Sequence, residues 1–470
     1  MMSRLPKYIS FGALFAIIAT LIVATFVEKE QGSAYVLENI YYSYPFVALW
    51  GILAISAIVH ILRSSKRVMS PTLLLHIPFA VILAGALVSF MTSKRGEMYV
   101  SQDAPPASMF EMPDGVPEKL PFRIELENFT TKHENGSATD HIVTMVVTDR
   151  EGNRTTETIS MNSPLQKDGF AIYINGYSAG TVSLLVSYDP WGSAITYIGY
   201  TMLLLGIISF LACRNTGLRV SIEGLRRKQE GKEKRKTDVA SNVVAVIAVA
   251  LLIYLSWTGI SHWIETSRFP AANGHETMLL LAWFALLAGL VLYRRSTTIL
   301  YSSFAIAIIA IIAATFTGGE GKEGIAPVLR TPLLALHVTT IIVSYALIGC
   351  TAFISSVALW HICRKNNAKS ERLAATGKLL LYPALFLLVI GVFIGAVWAN
   401  LSWGHYWGWD PKEVWALITI LLCSIPLHSR SLPALSKPLY FHIFCLVAFM
   451  AMIFTYFGTS YMMAGKHSYM

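Results

Sequence analysis

Eleven apolar stretches run along this chain, near residues 9–27, 45–62, 71–92, 192–213, 241–258, 276–293, 298–316, 333–362, 377–398, 414–428 and 439–458. Most are long enough for a helix to cross a hydrocarbon layer of roughly 30 Å, which takes about 20 residues. The stretch at 414–428 is short for a crossing, so the tryptophan-rich segment before it or "SIPLHSR" after it has to complete the span. Hydrophobic residues make up 54% of the 470 and charged residues 14%, more apolar surface than a soluble core can absorb. The fold class is therefore an α-helical polytopic membrane protein of about 11 transmembrane helices. Arg4 and Lys7 before the first apolar run imitate a signal peptide, but the run is long and "VEKE" is a poor cleavage context, so it reads as a retained span.

The formal net charge is +9, yet the basic residues lie in short runs between apolar stretches, where they orient a membrane protein and do not bind nucleic acid. "RSSKR" (63–67), "RRKQEGKEKRK" (226–236), Arg294–Arg295, "RKNNAK" (364–369) and Arg430 with Lys437 fall in alternate loops. Those loops are expected on the cytoplasmic side. The N-terminus is then inside, and the C-terminus and the segment 93–190 are outside. That segment alternates as strands do in "FRIELENF" (122–129), "HIVTMVVTD" (141–149), "RTTETISM" (154–161), "FAIYING" (170–176) and "TVSLLVSYD" (181–189), which predicts one small extracytoplasmic β-rich domain, a sandwich or barrel-like module. The N-x-[ST] matches at Asn128, Asn135 and Asn153 are too short a pattern to carry weight.

Five cysteines, Cys213, Cys350, Cys363, Cys423 and Cys445, include no C-x-x-C pair, which argues against an intrinsic dithiol centre. The 12 histidines sort by depth. His60, His76, His361, His428 and His442 fall near the cytoplasmic ends of spans. His262, His275, His337, His405 and His467 fall near or beyond the outer ends, and His133 and His141 in the β-rich segment. A lone histidine at a helix end is usually an interfacial residue. The reading changes where histidines share a depth with "WGHYWGWDPKEVWALI" (403–418), which crowds Trp403, Trp407, Trp409 and Trp415 with glycines between them. An aromatic belt is the plain alternative, but belts are spread over many helices. Two neutral imidazoles close the axial positions of a haem iron, indole faces stack on a porphyrin, and indole N–H groups reach propionates. Lys412 suits a propionate, while Asp410 and Glu413 fix that cation or cap the following helix.

The same stretch resembles the WWD signature of haem-handling membrane proteins. With "LLALHVTTIIVSY" (333–345), "PLHSR" (426–430), "FPAANGHETMLLLAW" (269–283) and "TYFGTSYMMAGKHSYM" (455–470), the second half is similar to the CcsA component of System II cytochrome c biogenesis. The first half resembles the partner component, CcsB or ResB, through "ATFVEKEQGSAYVLENIYYSYPF" (24–46), "LLLHIPFAVILAGALVS" (73–89), "LPFRIELENF" (120–129) and "GFAIYINGY" (169–177). The chain thus looks like a natural fusion of the two, with an outer domain shorter than many relatives carry. The resemblance implies spans 1–3 at 1–92, the β-rich domain at 93–190, a fourth span at 191–213, a basic linker at 214–240 and a seven-span haem-handling domain at 241–470 containing the WWD loop 403–415.

It also implies two haem b sites, with haem as the transported substrate. His76 and His428 would ligate an intramembrane haem and His337 and His467 an outer one, held by Trp403, Tyr406, Trp407, Trp409, Asp410, Pro411, Lys412, Glu413 and Trp415. Haem would enter from the cytoplasmic side of a bacterial-type inner membrane and be displayed outside to apocytochrome c, a cytochrome c synthetase role. A separate thioredoxin-like reductant would keep the apocytochrome cysteines reduced. His405 and His275 are spare outer candidates, and His60, His361 and His442 read as structural. A haem b electron-transfer subunit of the quinol oxidoreductase kind, or a transporter of another substrate, is the competing expectation.

Overall fold

The computed structural model describes residues 5–64, 70–134, 137–178, 180–213, 216–230, 239–317, 329, 331–429 and 431–463. Its helices are α1 Leu5–Gln31, the short α2 Ser33–Val36, α3 Tyr44–Ser64, α4 Pro71–Thr92, α5 Pro190–Ala212, α6 Gly217–Glu230, α7 Val239–Thr266, α8 Gly274–Leu292, α9 Thr297–Phe316, α10 Pro332–Cys363, α11 Asn367–Trp403, α12 Pro411–Ser424, α13 Pro438–Ile453 and the short α14 Thr459–Met462. Among the described residues ten helical runs are long and apolar enough to cross a membrane, and the chain is a multi-pass membrane protein. The eleventh apolar stretch of the sequence is α12 continued by a 3-10 turn at Ile425–His428. At about 1.5 Å and 2.0 Å per residue the two together reach roughly 29 Å, though this run is not one of the ten.

Helix ends follow their sequences. Ser70 caps α4 and Thr331 caps α10, each with Pro in the first turn, whose missing N–H is no loss there. The core of the bundle is continuous through the chain. Leu14, Ile17, Leu21 and Ala24 of α1 are buried in one cluster with α8, α9, α10, α11, α12 and α13. The first span therefore packs against α12 as well as α3.

The segment between α4 and α5 is one eight-stranded antiparallel sheet. Its strands are β1 Lys94–Ser101, β2 Ala107–Glu111, β3 Pro117–Glu134, β4 Ser137–Thr148, β5 Arg154–Ser160, β6 Leu165–Lys167, β7 Phe170–Ser178 and β8 Thr181–Tyr188, in the order β5-β4-β3-β2-β1-β8-β7-β6. The sheet curls until β5 lies against β6 and β7, so of the sandwich and the barrel the barrel-like form is the closer description. Its interior is filled by alternate residues such as Phe110, Phe122, Ile124, Met145, Ile159, Ile172 and Leu184. β1, β2 and β6 are additional to the expected strands. Charges at Lys94, Arg95 and Glu97 mask β1, although Gly96, Met98 and Val100 keep a period of two. The sheet hangs from the C-terminal end of α4 and the N-terminal end of α5, which marks one end of the bundle as the sheet end.

Candidate haem-handling site

At the end of the bundle away from the sheet, His76 in the second turn of α4 meets His428 at the close of the 3-10 turn. Their ring centroids are 5.9 Å apart and their planes cross at 81°. Each ring is held by its own helix: the His76 Nδ1 lies 2.6 Å from the Thr72 carbonyl and the His428 Nδ1 lies 2.8 Å from the Ser424 carbonyl. A carbonyl only accepts, so both Nδ1 atoms carry the proton and both Nε2 atoms carry the lone pair. That is how a carbonyl partner orients a metal-ligating imidazole. With metal–nitrogen bonds of about 2 Å and about 1 Å more to each ring centre, two axial imidazoles on one iron stand roughly 6 Å apart between centroids. Phe11 of α1 presents its edge to His428 at 5.8 Å, and Lys7 donates to the Ser431 carbonyl at 3.1 Å, so α1 covers this pair.

At the sheet end, His337 in the second turn of α10 places Nδ1 2.7 Å from the Gly391 carbonyl of α11, which fixes the same tautomer. The ring lies over Gly395, where an added Cβ would come within 2.6 Å of it. His467, its expected partner, lies outside the described residues, so the pair is not tested by geometry. Of the spare candidates, His275 bonds through Nδ1 to the Ala314 carbonyl at 2.9 Å. His405 stands 6.4 Å from Trp403. His442, read as structural, is buried and bonds through Nδ1 to Ser355 Oγ at 3.0 Å.

The tryptophan loop is pinned on both flanks. Gly404 ends α11 in the left-handed region at φ 73°, against the Tyr173 ring of β7, and its carbonyl accepts from Ser187 Oγ of β8 at 3.2 Å. Ser402 donates to Asn162 Oδ1 at 2.8 Å. Tyr406 packs edge-on against Tyr197 of α5 at 5.3 Å. Trp409 lies flat on Tyr41 at 4.4 Å, and Trp415 packs on Phe454 at 4.1 Å. Asp410 and Glu413 form a capping box on α12 that begins with Pro411, so of the roles the sequence allowed them they take the cap. Lys412 Nζ reaches Ser460 Oγ at 3.2 Å. The indole N–H groups of Trp398, Trp407 and Trp415 are buried without an acceptor. Buried donors are rarely left unmet, and the unmet Trp407 indole within the loop suits a guest bearing an oxygen.

Sequence reasoning missed the partners from the N-terminal half. Tyr41, Phe46, Tyr173, Ser187 and Asn162 hold the loop, and only the aromatic run "IYYSYPF" at 40–46 signalled any of them. Their side chains meet the loop through tertiary packing that no local pattern encodes.

Residues 271–467 match the family described as "Cytochrome C assembly protein", and residues 70–189 match the ResB-like family. One polypeptide thus carries a match to the cytochrome c assembly family in its second half and a match to the ResB-like family in its first. It is similar to Protein NrfI of Wolinella succinogenes, 37% identical over 207 residues, which are 43% of this chain and 23% of that protein. It is also similar to the cytochrome c biogenesis protein CcsA of Chlamydomonas reinhardtii, 34% identical over 224 residues, 44% of this chain and 62% of that one. CcsA of Trachelium caeruleum is 28% identical over 270 residues, 46% of this chain and 82% of that one. The chain thus spans about a quarter of the first relative and three fifths of the second. Two of these three relatives carry cytochrome c biogenesis in their names.

Proposed function

We propose that this protein carries haem across a membrane and presents it for covalent attachment to apocytochrome c. One observation carries the reading: His76 and His428, far apart in sequence, face each other with both Nδ1 atoms tied to carbonyls. Edge-on packing of two rings gives a similar spacing, as between Phe11 and His428, but the two carbonyl-pinned tautomers leave both Nε2 lone pairs available, which supports axial ligation of a haem b iron. In this reading the pair is an intramembrane resting site, and His337 with His467 ligates the haem displayed beside the tryptophan loop. In the same reading the membrane is a bacterial-type inner membrane, the N-terminus is cytoplasmic and the sheet and C-terminus face outward, the orientation that the basic loops favour.

The chemistry left for the outer site is thioether formation. Each cysteine S–H of the apocytochrome adds across one haem vinyl group, the sulfur bonding one vinyl carbon and the proton going to the other. The addition has no net redox change, so the thiols must arrive reduced. This chain has no C-x-x-C pair to reduce them, which assigns that task to a separate thioredoxin-like partner. What the protein supplies is orientation: two vinyls held still against two thiols, the kind of contribution that proximity makes to rate. An apocytochrome histidine then replaces one outer imidazole.

The test is purification of the full chain with an absorption spectrum, followed by single glycine replacement of His76, His428, His337 and His467. Loss of one low-spin haem from each pair is expected. Unchanged haem content in all four variants would remove the two-site reading. Normal cytochrome c maturation in a reporter strain carrying a Trp407→Ala chain would remove the synthetase role.

A further inference from the structure

We propose that Arg95 receives a carboxylate of the guest, a haem propionate, at the seam between the sheet and the tryptophan loop. This rests on the haem-handling reading above and adds to it a positive group from the ResB-like half.

Arg95 is the second residue of β1, directly after α4, and its cross-strand partner is Ser187 of β8. Paired residues of an antiparallel ladder project from the same side of the sheet. Ser187 donates to the Gly404 carbonyl, so that side is the one carrying the loop. Tyr173, paired with Leu185 two residues from Ser187, shares the side and touches Gly404. Arg95 is thus placed by register on the surface that meets the WWD segment.

Its surroundings give it no direct ion pair among the described residues. Nε is shut off from solvent with no acceptor. The acid that acts on it is Asp189, and that carboxylate is already occupied. Its Oδ2 accepts from Ser89 Oγ at 2.7 Å and Ser193 Oγ at 3.2 Å, and its Oδ1 from the Gly192 N–H at 3.1 Å. The other titratable groups acting on Arg95 are the phenols of Tyr42 and Tyr173. Burial pushes the guanidinium below its ordinary pKa, the mark of a cation in want of a counter-ion. Burying a charge without a partner is costly.

The nearby loop adds a donor, the Trp407 indole N–H, which is buried and unmet. A guanidinium with an indole N–H in the adjoining loop and phenol rings around it matches a planar aromatic molecule with a carboxylate at its edge. Arginine holds a carboxylate bidentately, which lysine cannot do. A lipid phosphate is the other source of an oxyanion at this depth, because arginine at a helix end can reach the headgroups.

The experiment titrates the purified full chain, lipid-depleted in detergent, with haem and with haem dimethyl ester, whose propionates are capped. It uses a His76→Gly background, so that the outer site is read by its absorption. The wild-type arginine is expected to favour haem over the ester by tenfold or more. Arg95→Gln should bring haem down to the ester's affinity and leave the ester's affinity unchanged, and Arg95→Lys should recover part of the preference. An equal loss for both porphyrins would make Arg95 a structural residue and overturn the proposal. An unchanged haem-to-ester ratio with less co-purifying phospholipid in Arg95→Gln would assign the site to a headgroup and overturn it as well. Failure of the unsubstituted outer site to bind either porphyrin would instead sink the haem-handling reading, and the proposal with it.

Discussion

Trp409 lies flat against Tyr41, ring centroids 4.4 Å apart and planes within 11°. Phe46 closes the pair edge-on at 5.6 Å from Trp409. The two stacked residues come from opposite halves of the polypeptide, so the tryptophan loop is held by the N-terminal half. Trp409 also sits at φ 57°, a left-handed conformation that costs a bulky residue roughly 1–3 kcal/mol and persists only where packing enforces it.

Tyr41→Ala removes a stack worth about 0.5–1.5 kcal/mol beyond its buried area, comparable with the strain it opposes. The loop is expected to relax, shifting tryptophan emission to the red and costing the outer haem while the His76/His428 haem stays. Tyr41→Phe keeps the ring and should behave as the unsubstituted chain. Retention of the outer haem in Tyr41→Ala would show that the loop stands without the N-terminal half.

The inner pair makes a different expectation. Two ligands of one iron are not independent, so the double variant His76→Gly/His428→Gly should lose no more haem than either single one. Each single variant should bind exogenous imidazole and regain a six-coordinate spectrum. Two additive losses, or no rescue by imidazole, would place the histidines on different haems or on none.

The sequence announces the spans, the long strands and the loop because each is local: apolar length for the helices, alternation for β3, β4, β5, β7 and β8, and tryptophan density for 403–415. It does not announce Tyr41 under Trp409, or Gly391 as the acceptor for His337, because these depend on which helices become neighbours. His76 and His428 were named through family resemblance, since a single histidine near a helix end has no signature of its own. Asp410, Lys412 and Glu413 show the opposite limit. The spacing allows Asp410 and Glu413 to cap the helix or to fix the Lys412 cation, and only the hydrogen bonds reveal the cap.

The capping box separates the loop's geometry from its chemistry. Glu413 Oε2 accepts from the Gly408 N–H at 2.8 Å and the Asp410 N–H at 3.3 Å, so it ties the last turn of the loop to α12. Asp410→Ala removes an N-cap, at a cost of about 1 kcal/mol. Glu413→Ala strands two backbone donors at roughly 1–3 kcal/mol each where they are buried, and should lower the melting temperature in detergent by more. Glu413→Gln retains an accepting oxygen and should fall between the unsubstituted chain and Glu413→Ala. Equal melting temperatures for Asp410→Ala and Glu413→Ala would mean that the bonds to the loop contribute nothing.

Gly395 sets the attitude of His337. An alanine Cβ there would stand 2.6 Å from both Nδ1 and Cε1 of the imidazole, a distance that forces the ring to move and breaks its bond to the Gly391 carbonyl. Helix α11 itself gains from the change, because alanine is favoured over glycine inside a helix by about 1 kcal/mol. Gly395→Ala should therefore lose the native ligation of the outer haem with only a modest change in thermal stability, because the helix gain offsets part of the cost of the displaced ring. Imidazole in the buffer should restore a six-coordinate spectrum, as in His337→Gly. If Gly395→Ala holds its outer haem with unchanged absorption and affinity, the ring beside Gly395 is not the iron's ligand, and the assignment of His337 falls.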